Sequence, residues 1–148
     1  MIRNQVSIRD AAPDDVIQLT LLINELGYLT STDEMKIRFD LIADHADYKT
    51  LVAVVDNEIV GMVGMCRGLL YEMNGAYLRI LVLVVKHDSR KLGVGRLLIS
   101  AAEAWAVEQG LKAVFLNCGN RPERKDAHKF YEEIGYMVKS SGYFKRLS

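Results

Sequence analysis

The sequence predicts a single α/β (α+β) domain over residues 1–148, built on a mixed, mostly antiparallel sheet flanked by about four helices. Three observations predict it. The chain is 148 residues and 16.7 kDa, which fits one domain with a full core and no need of disulfides or metals. Segments of period 2 and period 3.6 follow one another in the order β-α-α-β-β-β-α-β-α-β-β. No linker, repeat or low-complexity stretch interrupts them.

Gln5 to Arg9 alternates as a short strand. Pro13-Asp14-Asp15 opens a helix, because proline suits the first turn and early acids suit the helix dipole. Val16, Leu19, Leu22, Ile23 and Leu26 recur at helical spacing, and Gly27 ends the run. Ser31-Thr32-Asp33-Glu34 offers an N-cap, with acids in the first turn, for a second helix. It extends to about His45, with Met35, Ile37, Phe39, Leu41 and Ile42 as candidate buried positions.

Tyr48 to Val55 and Glu58 to Arg67 form a hairpin around Asp56-Asn57, residue types that tolerate left-handed backbone. Asn74-Gly75 marks a further turn, and Ala76 to Val85, strongly β-branched and apolar, is a central strand. Val94 to Gln109 is a helix with Val94, Leu97, Leu98, Ala101 and Trp105 as its apolar stripe. Ala113 to Leu116 is a buried strand, Pro122 to Glu133 a helix ended by Gly135, and short strands close the chain around Tyr136–Val138 and Gly142–Arg146.

Composition excludes several classes. Apolar residues make up 50% and charged residues 26%, ordinary globular usage that argues against disorder. No apolar run approaches the roughly 18 residues of a membrane span, and the N-terminus lacks the apolar stretch of a signal peptide. Two cysteines, Cys66 and Cys118, are too few for a disulfide framework or zinc cluster. The expectation is a soluble, cytoplasmic protein with free thiols, no metal site and no membrane partner. Net charge is zero, which disfavours nucleic acid. The charge is nevertheless uneven: residues 14–47 carry eight acids against Lys36 and Arg38, while residues 86–146 carry twelve bases against seven acids. Such a split suits a cationic ligand on one surface and an anionic ligand on another, and equally suits solvated helix faces.

The sharpest signal runs from Leu83-Val84-Val85 through Lys86-His87-Asp88-Ser89-Arg90-Lys91-Leu92 to Gly93-Val94-Gly95-Arg96. A buried strand leads into a basic, glycine-bearing loop that opens a helix. Unpaired N–H groups at a helix N-terminus, together with its dipole, favour anions. Arg90, Lys91 and Arg96 add positive charge, so the loop reads as a pyrophosphate cradle or as a β-α turn with incidental glycines. It is not a Walker loop, because Arg96-Leu97 follows Gly95. Nor is it the dinucleotide fingerprint, which needs glycine where Leu98 stands.

The stretch Arg90-x-x-Gly93-x-Gly95 after Leu83-x-Val85 resembles motif A of the GCN5-related N-acetyltransferase (GNAT) superfamily. Arg124-x-x-Ala127-His128-x-Phe130-Tyr131-Glu132-x-x-Gly135-Tyr136 is similar to its motif B, and Phe144-Lys145-Arg146-Leu147 to the closing strand of many members. Glu25-Leu26-Gly27-Tyr28 and the helix after it resemble one subgroup of small amine acetyltransferases. The resemblance covers nearly the whole chain in order. It implies a sheet splayed between its fourth and fifth strands, Ala76–Val85 and Ala113–Leu116, with acetyl-CoA in the splay. It implies that the backbone of Leu83 and Val85 pairs with the pantetheine, and that Arg90, Lys91, Leu92, Gly93, Val94, Gly95 and Arg96 hold the pyrophosphate. By the same resemblance Asn117, Arg124 and Phe130 approach the cofactor.

The implied reaction is direct transfer of acetyl from acetyl-CoA to an amine in a ternary complex, with a small primary amine as acceptor. Unpaired N–H groups near Val84 and Val85 would polarise the thioester carbonyl. Tyr131 is the candidate acid for the leaving thiolate, since a phenol with pKa about 10 roughly matches a thiol. Ala127, Phe130, Tyr131 and Ile134 also form an ordinary core stripe, and His128 reads as packing or surface.

Many relatives carry a glutamate on the fourth strand where Arg79 stands, which leaves the general base unassigned. Glu25, Asp33 or a water chain could serve, and Arg79 could instead bind a carboxylate or phosphonate of the substrate. Glu25, Tyr28, Asp33 and Arg79 are therefore the candidate acceptor contacts. Homodimers are common in the superfamily, and the resemblance implies one as a candidate state. Two alternatives stay open: a non-catalytic acyl-CoA-binding or regulatory domain, and an acetyltransferase acting on a protein amine.

Overall fold

The computed structural model describes residues 5–90, 92–118 and 124–148. They form two compact units, the first ending at Phe115 and the second starting at Leu116.

In the first unit the chain runs β1 (Ser7–Asp10), a 3-10 turn (Pro13–Asp15), α1 (Val16–Leu26), α2 (Thr32–Ala43), β2 (Tyr48–Val55), β3 (Glu58–Leu69), β4 (Ala76–Val85), a second 3-10 turn (His87–Ser89) and α3 (Val94–Glu108). β5 (Val114–Leu116) completes a sheet of order β1-β2-β3-β4-β5. The first four strands are antiparallel neighbours. β5 is parallel to β4: Lys112 N–H donates to the Ala76 carbonyl and Leu78 N–H to the Ala113 carbonyl, each at 2.9 Å, ascending along both strands.

The two faces of the sheet are covered differently. Val16, Leu19, Leu22, Met35 and Phe39 of α1 and α2 pack with Val52, Ile59, Met62 and Val84. Gly61, one residue from Met62 and so on the opposite face, meets α3. A Cβ there would come within 3.0 Å of Leu98 and 3.1 Å of Val94, so the absent side chain lets the start of α3 lie directly on β3.

Most predicted boundaries hold within a few residues. Asp56 and Asn57 take φ of 51° and 64°, the left-handed pair that a two-residue hairpin requires. Two apolar stripes differ from expectation. In α2 only Met35 and Phe39 are buried, whereas Ile37 and Leu41 face outward. In α3 the buried set is Val94, Leu98, Ile99, Ala102 and Ala106, and Leu97 is exposed. In both, the sheet selects one i, i+4 row among several apolar ones.

The second unit contains α4 (Lys125–Glu133), with Arg124 at its N-cap and Ile134 at its C-cap. The expected start at Pro122 lies outside the described residues. The closing strands expected at 136–138 and 142–146 are not formed. Met137, Val138, Tyr143, Phe144 and Leu147 are exposed, and two short strands that bury no apolar face have little to hold them together. Among the described residues no helix is long and apolar enough to cross a membrane, and no group of three or more metal-ligating side chains gathers.

Candidate active site

The cradle begins with a β-bulge. The β3–β4 register pairs Met65 with Ile80 but Gly64 with Val82, so Leu81 is an extra residue in β4. The insertion exchanges which backbone groups face which neighbour. Before it, Ala76 and Leu78 turn theirs to β5. Beyond it, Lys86 N–H donates to the Val60 carbonyl at 2.7 Å, and alternation along the ladder points Val84 to β3 in the same way.

Leu83 and Val85 are left pointing away from β3, toward the side on which β5 lies. A three-residue β5 whose pairing starts at Ala76 and Leu78 does not extend as far as Leu83. The expectation that Val84 N–H is free is corrected by this geometry: its backbone serves the ladder and its side chain is buried in the core. Among the described residues, both backbone groups of Leu83 and the N–H of Val85 face away from β3. The Val85 carbonyl accepts a hydrogen bond from Arg90 Nε at 3.3 Å.

The loop then turns tightly. Ser89 N–H donates to the Lys86 carbonyl at 2.9 Å and Arg90 N–H to the His87 carbonyl at 3.4 Å. Lys86 pairs with Glu58, which raises the Lys86 pKa above the usual lysine range. Lys91 lies outside the described residues.

Gly93 is the N-cap of α3 at φ 79°, a left-handed conformation in which glycine carries no penalty. Among the described residues no side chain caps the α3 N-terminus, so the N–H groups of its first turn at Val94, Gly95 and Arg96 have no side-chain acceptor there. A Cβ on Gly93 would meet nothing within 4 Å. Leu92 and the side chains of Arg90 and Arg96 are exposed beside it. Bare donors, open space and flanking cations fit a diphosphate.

The candidate acceptor residues of the first unit lie on β4, on α1 and α2, and in the loop between the two helices. Arg79 sits mid-strand on β4 opposite Cys66, half-buried, with no carboxylate paired to it among the described residues. Burial pushes the Cys66 thiol up, partly offset by the Arg79 charge. Next along β4, Tyr77 meets Phe115 edge-on at 5.2 Å.

Glu25, near the end of α1, accepts a hydrogen bond from His87 N–H, so its carboxylate is engaged by the loop between β4 and α3. Tyr28 is exposed in the α1–α2 loop, and Asp33 is exposed in the first turn of α2. Neither Glu58 nor the His87 amide stood out in the sequence, because each works through a partner tens of residues away. The Leu81 insertion likewise leaves no mark in an unbroken apolar run.

The second unit holds the remaining candidates. Tyr131 is half-buried, with its ring edge-on to Phe130 at 5.3 Å and to Tyr136 at 6.0 Å. Burial, with a smaller contribution from Cys118, pushes its phenol up to about 12, against an opposing pull from Arg124. It therefore stays protonated throughout the physiological range and can donate. Arg124 caps α4. Asn117 is exposed near Gly142, where a Cβ would lie 3.7 Å from its side-chain nitrogen.

A parallel β4–β5 pair, a bulge that frees Leu83 and Val85, and an uncapped glycine-led helix define an acyl-CoA-binding acetyltransferase fold. The family model described as acetyltransferase (GNAT) family matches residues 16–136, and the chain belongs to that family. The family uses acetyl-CoA as acetyl donor.

Among solved structures, a GNAT family acetyltransferase from Staphylococcus aureus subsp. aureus USA300_TCH1516 is similar at 34% identity and TM-score 0.82, over 96% of this chain and 98% of that one. The aminoglycoside N-acetyltransferase AAC(6')-Iy in complex with CoA shares the fold at 18% identity and TM-score 0.81, over 98% and 96% of the two chains. A curated relative, the uncharacterized N-acetyltransferase YhdJ of Bacillus subtilis (strain 168), is 39% identical over 67 residues. That match spans 45% of this chain and 46% of the relative, less than half the length of each.

Proposed function

We propose that the protein transfers the acetyl group of acetyl-CoA to a small primary amine by direct attack in a ternary complex. The observation that carries this reading is the uncapped N-terminus of α3 behind left-handed Gly93, flanked by Arg90 and Arg96. Acetyl-CoA, when bound, supplies an acetyl thioester whose thiol is the leaving group.

In this reading the N–H groups of Val94, Gly95 and Arg96 bind the diphosphate, helped by the helix dipole. Leu83 and Val85 pair with the pantetheine amides, and Val85 N–H polarises the thioester carbonyl. Tyr131 donates its proton toward the departing sulfur. Its raised pKa favours hydrogen-bond donation over complete transfer in the ground state. Asn117, Arg124 and Phe130 flank the cofactor.

Contact with the acceptor is assigned to Tyr28, Asp33 and Arg79, while Glu25, three residues before Tyr28, has its carboxylate on the His87 amide. The acidic α1–α2 segment attracts a cationic amine. Arg79, half-buried and unpaired among the described residues, takes an anionic group on the same molecule. An amine bearing a carboxylate or phosphonate satisfies both. Thermal-shift titration with acetyl-CoA, followed by a thiol-release screen across such amines, tests the proposal. Stabilisation with amine-dependent thiol release is the expected result. Stabilisation without release by any amine would instead support a non-catalytic acyl-CoA-binding domain.

A further inference from the structure

Two segments with separate tasks meet at one carboxylate. The α1–α2 loop is closed by α1 itself: Asn24 Oδ1 accepts from Thr30 N–H at 2.7 Å, and the Ile23 carbonyl accepts from Tyr28 N–H at 3.3 Å. The neighbouring residue, Glu25, reaches 62 positions along the chain and accepts from His87 N–H. His87 is the first residue of the cofactor loop's 3-10 turn, and its carbonyl in turn takes Arg90 N–H. Three consecutive residues in the last turn of α1, Ile23, Asn24 and Glu25, therefore hold Tyr28 and Thr30 on one side and the His87 amide on the other.

We propose that Glu25 is a positioning residue that couples the two loops, so that filling the cofactor cradle stiffens the α1–α2 loop and prepares the acceptor side. The inference rests on the function proposed above. Anchoring at His87 gives the physical reason. A diphosphate on the α3 N-terminus restrains residues 86–90 and 92–97, and a restrained His87 amide is a better-ordered partner for Glu25. Ordering one end of a hydrogen-bonded link lowers the entropy cost of ordering the other.

Glutamine keeps an oxygen acceptor at this place and alanine does not, so the pair of variants separates the link from any general effect of substitution. The experiment is amide hydrogen exchange of the full chain with and without CoA, in the wild type, Glu25→Gln and Glu25→Ala. The reporters are the amides of Tyr28 and Thr30. Because local opening sets their exchange, CoA should slow both by about fivefold in the wild type and Glu25→Gln and leave them nearly unchanged in Glu25→Ala. Residues 92–97 should be protected in all three proteins.

Equal slowing at Tyr28 and Thr30 in Glu25→Ala overturns the coupling, as does no slowing there in the wild type. Lack of protection at 92–97 in the wild type overturns the cofactor reading, and this inference falls with it. Protection at 92–97 with none at Tyr28 and Thr30 sinks the coupling alone.

Discussion

Arg9 grips both carboxylate oxygens of Asp15, with Nη1 2.8 Å from Oδ2 and Nη2 3.0 Å from Oδ1. Ala12 N–H donates to the same Oδ2 at 2.7 Å. The buried carboxylate thus ties β1 to the turn that opens α1. The Arg9 hydrogen bonds, opposed in part by burial, hold the Asp15 carboxyl below the usual carboxylate range. A carboxyl depressed in the folded state stabilises the fold above its unfolded value of about 3.9, and that contribution is lost as pH falls through the folded value. Asp15→Asn should lower stability by about 1–2 kcal/mol at pH 7, a value reduced by the exposure of Arg9. Urea unfolding should show the gap between the two proteins closing as pH falls below the ordinary carboxylate value of about 3.9. A gap that does not shrink with acid would count against the ion pair as its source.

Gly93→Ala places a methyl group where the protein has open space and where the diphosphate is proposed to lie. The left-handed φ of 79° adds a backbone penalty of about 1 kcal/mol. Acetyl-CoA affinity should fall at least about tenfold, corresponding to 1.4 kcal/mol, with a smaller loss of folding stability. Calorimetric titration of acetyl-CoA checks the first figure and thermal unfolding of the free protein the second.

Tyr131→Phe removes the proposed proton donor while keeping the ring contacts with Phe130 and Tyr136. The expected loss in kcat is on the order of 10–100-fold, with acetyl-CoA affinity little changed. Because burial lifts the phenol to about 12, Tyr131 itself should impose no alkaline fall in rate below about pH 10. Undiminished turnover in the variant removes the assignment.

Arg79→Ala should distinguish acceptors by charge. For a carboxylate-bearing amine, KM should rise about tenfold or more; for the matched carboxamide it should stay within about twofold. Equal effects on both compounds would return Arg79 to a purely structural role on β4. Steady-state kinetics on the matched pair decides between them.

Much of the fold is legible in the chain because the signals are local. Gly27 ends α1, Asp56-Asn57 turns the β2–β3 hairpin, and Gly93 opens α3, each through a backbone conformation that its own residue type favours. The loop proposed to take a pyrophosphate is local too, since strand, loop and helix start are contiguous. Tyr131 needed its motif, because its spacing alone equally describes a packing stripe.

Periodicity proposes several apolar rows on a helix, and only the facing sheet chooses one. Ile37, Leu41 and Leu97 are apolar yet exposed for that reason. Strand pattern likewise proposes a closing hairpin, but pairing requires a partner edge, and residues 136–148 form none.

Residue order therefore carries the element types, the turn positions and the glycine-led loop into α3, because each depends on neighbours in the chain. Three features came from packing alone: the extra residue at Leu81 that opens Leu83 and Val85, the Glu25–His87 link, and the Arg9–Asp15 clasp. The first depends on register against another strand. The other two join groups that meet only after the strands and helices have docked, so their partners cannot be read from one-dimensional spacing.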